Sequence, residues 1–475
     1  MKSICEIIMT NRKLILDKEE YYMKTDKKRR KNISRKNKRK FFQLLLVFCF
    51  MITVVITGCG EKEEAIEESQ EGSEEQEETS EETDEELFSV DASEDEEEYA
   101  GLEITVWVPE EEEDFTEEEI AQFQEILPQF SLVEFNVETV SMEEAVQNSA
   151  ADVFLFTQEY LDQLVLSKGL EEIPEFYAER VMEENDEKSI EAATSEDGVL
   201  YAYPCAADSG YFLYYDASVI TYPSCLEQIV ADCEAAGKTI YMELNSGWYQ
   251  PSFFFGTGCS LSYEVDGEGN FVSATIDYAS SQGVVALREM IELASSSAFQ
   301  NGSAAGNTEN MAALVGGIWD EETVQELLGE NTGYAKLPSF VGSDGKEYDM
   351  SGFAGWKLFG VAPQSEENRQ EVCHALASWL TSTQMQALRF ESNGEVPTNL
   401  EVQNSEAVLE EDAISALLSQ MNCSYVQRRY PGDYWTMASS LGDDIVLGSL
   451  KESASDEELL SSLETFEEQC LSYTQ

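Results

Sequence analysis

Basic residues, histidine and long apolar runs are all scarce in this chain of 475 residues. The chain has 29 Lys and Arg against 95 Asp and Glu, one histidine and a formal net charge of −66. This balance argues against nucleic acid as a partner, because phosphate binding requires clustered Lys and Arg side chains. The main apolar run, Phe41–Ile56, has 16 residues, whereas crossing a bilayer comfortably takes roughly 20.

The sequence also lacks the motifs of common catalytic sites. It contains no G-x-S-x-G, no Walker loop, no G-x-G-x-x-G after a predicted strand and no H-E-x-x-H. His374 follows Cys373 in a predicted helix, where adjacent side chains point about 100° apart, so the pair is poorly arranged for nucleophilic chemistry. We therefore predict a structural histidine, no cofactor, no metal and no enzymatic activity.

Ten cysteines are present, and none forms a C-x-x-C zinc pattern. Loss of an N-terminal signal and lipidation of one thiol leave seven, an odd number that cannot all pair within one molecule. We predict mainly buried free thiols, while an exported location leaves disulfides open. The seven are Cys205, Cys225, Cys233, Cys259, Cys373, Cys423 and Cys470.

The first 58 residues are predicted to be a basic extension followed by a signal peptide. Lys24–Lys40 is densely basic and precedes the apolar run, which is typical of a secretory signal. The residues Ile56-Thr57-Gly58-Cys59 then resemble the lipobox of bacterial lipoproteins, which implies lipidation of Cys59 and a membrane anchor at the outer face of the cytoplasmic membrane. Residues 1–22 have no signal character, so a start at Met1 or at Met23 stays open.

Residues 59–100 are predicted to be a disordered acidic tether that begins at Cys59. Residues 61–100 contain 21 Asp and Glu and one Lys. Such a segment cannot bury enough apolar surface to offset its ordering entropy, and its like charges extend it. Residues 101–475 carry the remaining acidic excess, with a net charge of −56.

Regular apolar patterns begin at Leu102 and indicate a folded body. Leu102, Ile104 and Val106 alternate with other residues as in a strand, and Asp152–Phe156 is a compact run typical of a buried strand. Helical patterns lie between the predicted strands. This order favours an α/β fold with mostly parallel sheets.

Local signals place several boundaries within this body. Thr116 with Glu119 has the spacing of a capping box before a helix at 120–127, and Ser141 with Glu144 repeats it. Asp266–Asn270 resembles a calcium loop superficially, but it lacks the spacing of one and is predicted to be a hairpin turn.

The order of short motifs from residue 102 to 475 resembles the extracellular solute-binding proteins of family 1, the maltose-binding-like proteins. The motifs are Ile104–Val108, Ala151–Phe156, Gly198–Pro204, Leu213–Asp216, Met311–Trp319, Leu337–Phe340 and Gly352–Pro363. The resemblance implies a two-lobed periplasmic-binding-protein-like fold of type II. It places lobe 1 at about 101–208 and 356–400 and lobe 2 at about 209–355 and 401–475, with about three crossings near 208–211, 351–356 and 397–401.

Aromatic residues beside turns are the candidate ligand contacts, since flat rings suit the C–H faces of sugars and carboxylates accept hydroxyl hydrogen bonds. The resemblance places sugar platforms at Trp248, Trp319 and Trp435, and Tyr249 and Tyr434 adjoin two of them. It also places a cleft-facing aromatic at Phe156 and polar ligands at Glu159 and Asp208. The basic residues that maltose-type members place near the cleft are not evident, and Glu111 and Glu112 stand in the first loop instead.

These features predict a monomeric, lipid-anchored substrate-binding subunit of an ABC importer that carries a carbohydrate, such as a maltodextrin, to membrane permease subunits. The acidic charge leaves a peptide, a polyamine or another cationic solute open as the ligand. An extracellular glycoside hydrolase and a structural or adhesive surface protein are the alternatives from other classes.

Overall fold

The computed structural model describes residues 88–148, 150–303 and 310–474. The predicted signal peptide, Cys59 and most of the predicted tether lie outside these residues. Val90–Ala387 and Glu395–Gln475 form one compact unit, whereas Leu388–Gly394, the end of a helix, belongs to a second unit. Within the described ranges, no helix is both long enough and apolar enough to cross a membrane.

The described chain alternates strands and helices. The strands are β1 Glu103–Val108, β2 Glu134–Thr139, β3 Val153–Thr157, β4 Ala202–Ser209, β5 Phe212–Asp216, β6 Thr239–Met242, β7 Leu261–Val265, β8 Phe271–Ile276, β9 Phe299–Asn301, β10 Met311–Gly316, β11 Thr332–Ala335, β12 Ser339–Val341, β13 Glu347–Asp349, β14 Phe353–Val361 and β15 Tyr425–Val426. The α-helices are α1 Glu96–Tyr99, α2 Glu113–Ile126, α3 Met142–Gln147, α4 Leu161–Leu166, α5 Glu175–Glu184, α6 Glu187–Ala193, α7 Leu226–Ala236, α8 Pro251–Gly256, α9 Ser281–Ser295, α10 Glu321–Leu328, α11 Glu367–Leu380, α12 Thr383–Asn393, α13 Leu400–Gln403, α14 Glu406–Leu409, α15 Asp412–Met421, α16 Tyr434–Val446 and α17 Asp456–Leu471.

Two mixed sheets form the centres of two α/β lobes. The first sheet has the order β15-β14-β3-β1-β2, with β4 also paired to β14, and the second has the order β11-β5-β10-β6-β9. Strands β1, β2 and β3 pair in parallel, as do β6, β9 and β10. In contrast, β14 runs antiparallel to β3 and β4, and β5 runs antiparallel to β10 and β11. Five pairings in these two sheets are parallel and four are antiparallel, so the sheets are parallel by a narrow majority, because the strands beside the crossings reverse direction.

The chain passes from the first sheet to the second between β4 and β5, through Gly210 and Tyr211. It returns from β11 to β14 by way of the β12–β13 hairpin. Helix α15 then packs on β5 and β11 of the second sheet. Strand β15 afterwards pairs with β14, so the assignment of 401–475 wholly to the second lobe is wrong at this short strand.

Residues 90–100 are folded, which corrects the predicted boundary of the tether at residue 100. Tyr99 on α1 is fully buried, and its hydroxyl donates a 2.5 Å hydrogen bond to Glu371 on α11. The backbone N–H of Asp91 donates to the hydroxyl of Tyr177, and that of Ser93 donates to the hydroxyl of Tyr99. We call residues 90–100 the entry segment. Its one large aromatic ring supplies the apolar burial that a purely acidic run lacks.

The predicted hairpin is confirmed, since β7 pairs with β8 around Asp266–Asn270. The predicted box at Ser141 and Glu144 is confirmed in part, because Ser141 accepts a hydrogen bond from the N–H of Glu144 and caps α3. The predicted box at Thr116 and Glu119 is wrong, because α2 already begins at Glu113 and both side chains lie inside the helix. The acidic first turn of α2 favours the earlier start through the helix dipole.

His374 and the cysteines are structural. His374 is 1% exposed, and its Nδ1 lies 2.9 Å from the hydroxyl of Tyr203. Burial lowers the pKa of His374 to about 3, so the imidazole is neutral at physiological pH. All seven cysteines named above are free thiols, and five of them are buried.

Glu289 is a carboxyl group on the buried face of α9. It is 6% exposed, and burial raises its pKa to about 8, with a further contribution from Glu292 and Glu227. The native state therefore binds this proton more tightly than the unfolded chain, whose carboxyl groups titrate near their ordinary pKa.

We predict that Glu289 lowers the free energy of unfolding as pH rises from about 4.5 to about 8. Glu289→Gln removes this dependence and stabilises the protein at pH 8 by on the order of 2 kcal/mol. Urea unfolding at pH 5 and pH 8 measures the difference. Glu326→Gln, at an exposed position of α10, is the matched control. An identical pH dependence in wild type and Glu289→Gln would contradict the prediction.

Candidate functional site

The carboxyl ends of the parallel strands lie on facing edges of the two sheets. In the first sheet, β1 and β3 end at the edge where Ser209 at the end of β4 pairs with Gly355 of β14. In the second sheet, β6, β9 and β10 end beside the start of β5. Because Gly210 and Tyr211 directly join β4 to β5, the two edges are neighbours. Ligands of open α/β sheets bind at such edges.

Trp319 lies on a short 3-10 turn after β10 and is the most exposed of the predicted platforms. Its side chain is 45% exposed, and its ring covers Gly317, where a Cβ atom would overlap it. The N–H of Gly317 donates a 3.2 Å hydrogen bond to Oδ2 of Asp320. Burial raises the pKa of Asp320 to about 6 despite this hydrogen bond. The turn thus presents one free indole face beside a buried carboxylate.

Trp248 lies in the loop after β6 and is half-buried. Its ring stacks on Phe353 at a centroid distance of 5.6 Å, and Tyr211 meets it edge-on at 5.7 Å. The hydroxyl of Tyr211 also donates a 2.9 Å hydrogen bond to the carbonyl of Trp248. Trp248 is therefore fixed directly against the first crossing between the lobes.

Trp435 lies in the first turn of α16 and is also half-buried. Tyr430 approaches its ring at 6.1 Å, and Phe353 approaches Tyr430 at 5.2 Å. A continuous row of rings thus joins Trp435 to Trp248 through Tyr430 and Phe353. Sequence reasoning placed the two tryptophans as candidates but did not find the two rings between them.

Three of the predicted ligand contacts lie in the core of the ligand-free protein. Phe156 is fully buried within β3, and Tyr249 is 6% exposed against Tyr211. Tyr434 is fully buried, and its hydroxyl donates to the carbonyl of Gly247. Their apolar surface is already covered by protein.

Lys357 is a basic residue at the edge of the first sheet, where none was expected. Its Nζ lies 2.9 Å from Oε1 of Glu112 and 2.8 Å from Oε1 of Glu395, and all three side chains are at least 87% buried. Burial would lower the pKa of Lys357, but Glu395, Glu112 and Asp208 outweigh burial and raise it well above its usual range. The three side chains, which we call the Lys357 triad, carry a net charge of −1.

Glu159 and Asp208 supply further carboxylates at the same edge. Glu159 follows β3 and is half-buried, and it accepts 3.4 Å hydrogen bonds from Thr157 and Gln427. Burial raises the pKa of Glu159, while Thr157 and Arg429 oppose the rise. Asp208, at the end of β4, is exposed. The edge therefore offers hydrogen-bond acceptors in excess of cations.

Arg429 connects the two lobes at one side of this edge. Its guanidinium group lies 5.3 Å from the ring of Tyr160 and 5.6 Å from the ring of Phe271. Its Nη1 donates to Gln163 on α4 and to the carbonyl of Gly269 in the β7–β8 turn. A single side chain thus bridges a helix of the first lobe and a hairpin of the second.

The side chains at these edges offer flat rings and hydrogen-bond acceptors. In the part of the chain that the structure describes, no group of three or more His, Cys, Asp or Glu side chains could hold a metal ion. Trp319 and the half-buried Trp248 and Trp435 offer flat apolar faces, and Glu159 and Asp208 offer charged acceptors. Such a set binds hydroxyl-rich solutes through stacking and charge-assisted hydrogen bonds.

The chain matches the family model of the bacterial extracellular solute-binding proteins over residues 136–416, more than half of its length. A galactooligosaccharide-binding protein of Bacillus subtilis (strain 168) is 30% identical over 139 residues, which are 29% of this chain and 31% of that relative. The match thus spans about a third of the length of this curated relative.

Solved structures share the fold. A maltodextrin-binding protein from L. casei BL23, without ligand, aligns with a TM-score of 0.65 at 20% identity and covers 79% of this chain and 99% of its own. A maltose-binding periplasmic protein from Listeria monocytogenes, in complex with maltose, aligns with a TM-score of 0.58 at 19% identity and covers 77% and 98%. These alignments confirm the predicted two-lobed periplasmic-binding-protein-like fold.

We predict that Lys357→Met lowers the free energy of unfolding by about 3–5 kcal/mol, because it leaves two buried carboxylates without their cation. Lys336→Met is the matched control, since Lys336 pairs with Asp349 at 3.0 Å where both side chains are exposed. Its loss should stay below about 1 kcal/mol. Urea unfolding at pH 7 compares the two variants, and equal losses would contradict a structural role of the Lys357 triad.

Proposed function

Because the chain belongs to the bacterial extracellular solute-binding protein family, we propose that it captures an oligosaccharide between its two lobes and delivers it to the permease of an ABC importer. The observation that carries the proposal is the placement of Trp248, Trp319 and Trp435 around the facing edges, with Glu159 and Asp208 beside them. The family membership supports binding, and the residues at the edges support a sugar as the ligand.

Stacking supplies the apolar part of the proposed recognition. The C–H faces of a pyranose ring are flat and apolar and match an indole ring in size. Trp319 offers an exposed face for this contact, while Phe353 and Tyr430 already hold Trp248 and Trp435 in place. A platform fixed before binding loses little side-chain entropy when the ligand arrives.

Carboxylates supply the directional part. Glu159 and Asp208 accept hydrogen bonds from sugar hydroxyl groups, and bonds to a charged acceptor are stronger than those between neutral groups. Lys357 is occupied by Glu112 and Glu395, so it gives an anionic ligand little attraction. The edge therefore favours neutral, hydroxyl-rich solutes over anionic ones.

Binding at both edges couples recognition to closure. A ligand that contacts Trp319 of the second lobe and Glu159 of the first stabilises the closed arrangement by its difference in affinity for the two states. The closed form then docks on the permease. A micromolar dissociation constant corresponds to about −8 kcal/mol, which stacking and charged hydrogen bonds are sufficient to provide.

The named ligands of the relatives favour two sugar classes for this chain. The Bacillus subtilis relative is a galactooligosaccharide-binding protein, and the structural neighbours bind maltodextrin or maltose. A cationic solute such as a polyamine is the second candidate, because the edge residues Glu159 and Asp208 and the Lys357 triad are together net negative.

We further propose that the mature protein is a monomer held at the outer face of the cytoplasmic membrane by lipid on Cys59. The lipobox-like residues 56–59 and the basic and apolar segments before them support this location. The acidic residues that follow serve as a spacer between the membrane and the entry segment.

We predict that maltotetraose or a galacto-oligosaccharide mixture raises the melting temperature of the purified protein and is recovered intact. Trp319→Ala weakens this binding by about 1–3 kcal/mol with little change in the ligand-free melting temperature, because the ring is largely exposed. Tyr222→Ala removes an aromatic ring of 59% exposure elsewhere on the second lobe and is the control. Cleaved sugars would refute the receptor function, and a response to spermidine alone would favour the cationic solute.

We predict that Cys59→Ser abolishes incorporation of radiolabelled palmitate and releases the protein from the membrane fraction. A serine hydroxyl does not replace the thiol as the acyl acceptor of this modification. Cys423→Ser, which alters a partly buried thiol in the folded unit, is the control and should keep its label. Continued labelling of Cys59→Ser would refute the proposed anchor.

A further inference from the structure

We propose that Asn245 is a positioning residue of the ligand site, because its side-chain amide ties the loop of Trp248 to the helix of Trp435. The inference rests on the proposed function, since it assigns a role to the residues behind the platforms. Asn245 lies in the loop after β6, three residues before Trp248, and it is half-buried. No part of its side chain needs to touch the ligand for this role.

The side-chain amide of Asn245 acts both as a hydrogen-bond acceptor and as a donor. Its Oδ1 accepts a 2.6 Å hydrogen bond from Nδ2 of Asn301, which lies at the end of β9. Its Nδ2 donates a 2.8 Å hydrogen bond to Oδ1 of Asp443 on α16. The three side chains thus form a line from the edge of the second sheet to the helix that carries Trp435. Only a group with a donor and an acceptor can occupy the middle of this line.

Two glycines bring the loop and the helix into direct contact at this point. A Cβ atom on Gly442 of α16 would overlap the backbone of Asn245. A Cβ atom on Gly247 would lie 2.9 Å from Cβ of Ala438 and 3.1 Å from the ring of Trp435. The loop and α16 therefore approach as closely as their backbones allow, and a small shift of either element moves a tryptophan.

Two more hydrogen bonds join the same two elements. Nε2 of Gln250 donates to the carbonyl of Ala438 at 2.6 Å, and the hydroxyl of Tyr434 donates to the carbonyl of Gly247 at 3.2 Å. These bonds use buried groups on both sides of the contact. Asn245 differs from Gln250 and Tyr434, because it also accepts a hydrogen bond from Asn301 on β9. It therefore joins both the loop and α16 to the second sheet.

The consequence is a fixed separation between two platforms that come from distant parts of the chain. Trp248 and Trp435 are joined by the row of rings through Phe353 and Tyr430, and the Asn245 line holds the opposite side of the same contact. A ligand that stacks on both rings then needs no rearrangement of them. Loosening the line spreads the rings over several positions and lowers affinity without removing any ligand contact.

An exchange of the two groups in this line tests the inference. Asn245→Asp replaces the hydrogen bond to Asp443 by repulsion between two carboxylates. It should weaken the binding of maltotetraose or a galacto-oligosaccharide about tenfold. The double variant Asn245→Asp with Asp443→Asn restores one donor and one acceptor in reversed order, while Asn301 still donates to residue 245. Its affinity should return to within about twofold of the wild type. Asp444→Asn, at an exposed position of the same helix, is the charge-matched control.

The near-ultraviolet circular dichroism reports the packing of the tryptophans, whereas the far-ultraviolet circular dichroism and the melting temperature report folding. Asn245→Asp should reduce the near-ultraviolet signal of the ligand-free protein and leave the far-ultraviolet signal unchanged, and the double variant should restore the near-ultraviolet signal. Unchanged affinity in Asn245→Asp, or no recovery in the double variant, would overturn the inference. If the wild type binds neither sugar, the proposed function fails instead, and the dichroism still decides whether Asn245 fixes the two tryptophans.

Discussion

Tyr211 occupies the first crossing between the lobes, and its ring and hydroxyl hold three segments of the chain in one place. The ring lies against Trp248, and the hydroxyl reaches the carbonyl of the same residue. A Cβ atom on Gly352, just before β14, would overlap the Tyr211 ring, and one on Gly210 would lie 2.8 Å from Leu417 on α15. The strand that leaves the first lobe and the segment that returns to it therefore meet around one buried side chain, and a helix of the second lobe packs against the preceding residue.

Charged residues and aromatic residues lie on different edges. The Lys357 triad is buried and nearly closed to solvent, so its main effect is to hold β14, the first loop and the segment before α13 together. Glu159 and Asp208 lie closer to solvent. The three predicted platforms, Trp248, Trp319 and Trp435, lie on the second lobe. One edge is thus chiefly polar and the other chiefly aromatic, which suits a ligand with hydroxyl groups around its rim and flat faces.

Local patterns predicted the elements whose signals lie within a few residues. The cap at Ser141, the β7–β8 hairpin and the buried strand after Asp152 all follow from neighbouring side chains. The Lys357 triad joins residues more than 240 positions apart, so spacing could not find it, although a lone lysine in the apolar run of β14 was a usable signal. The burial of Phe156 and Tyr434 likewise depends on elements that are distant in sequence. The family resemblance predicted the three tryptophan platforms, but it carried no information on which neighbouring rings are buried.

The entry segment determines which lobe the proposed anchor is attached to. The chain from Cys59 to residue 89 has about 30 residues and spans at most about 100 Å when fully extended. Any tension on it reaches the folded unit through Asp91 and Tyr99, which are bonded to Tyr177 and Glu371 of the first lobe. With the proposed anchor in place, the first lobe is the one joined to the membrane, and the second lobe, with Trp319 and α16, is joined to the membrane only through the first.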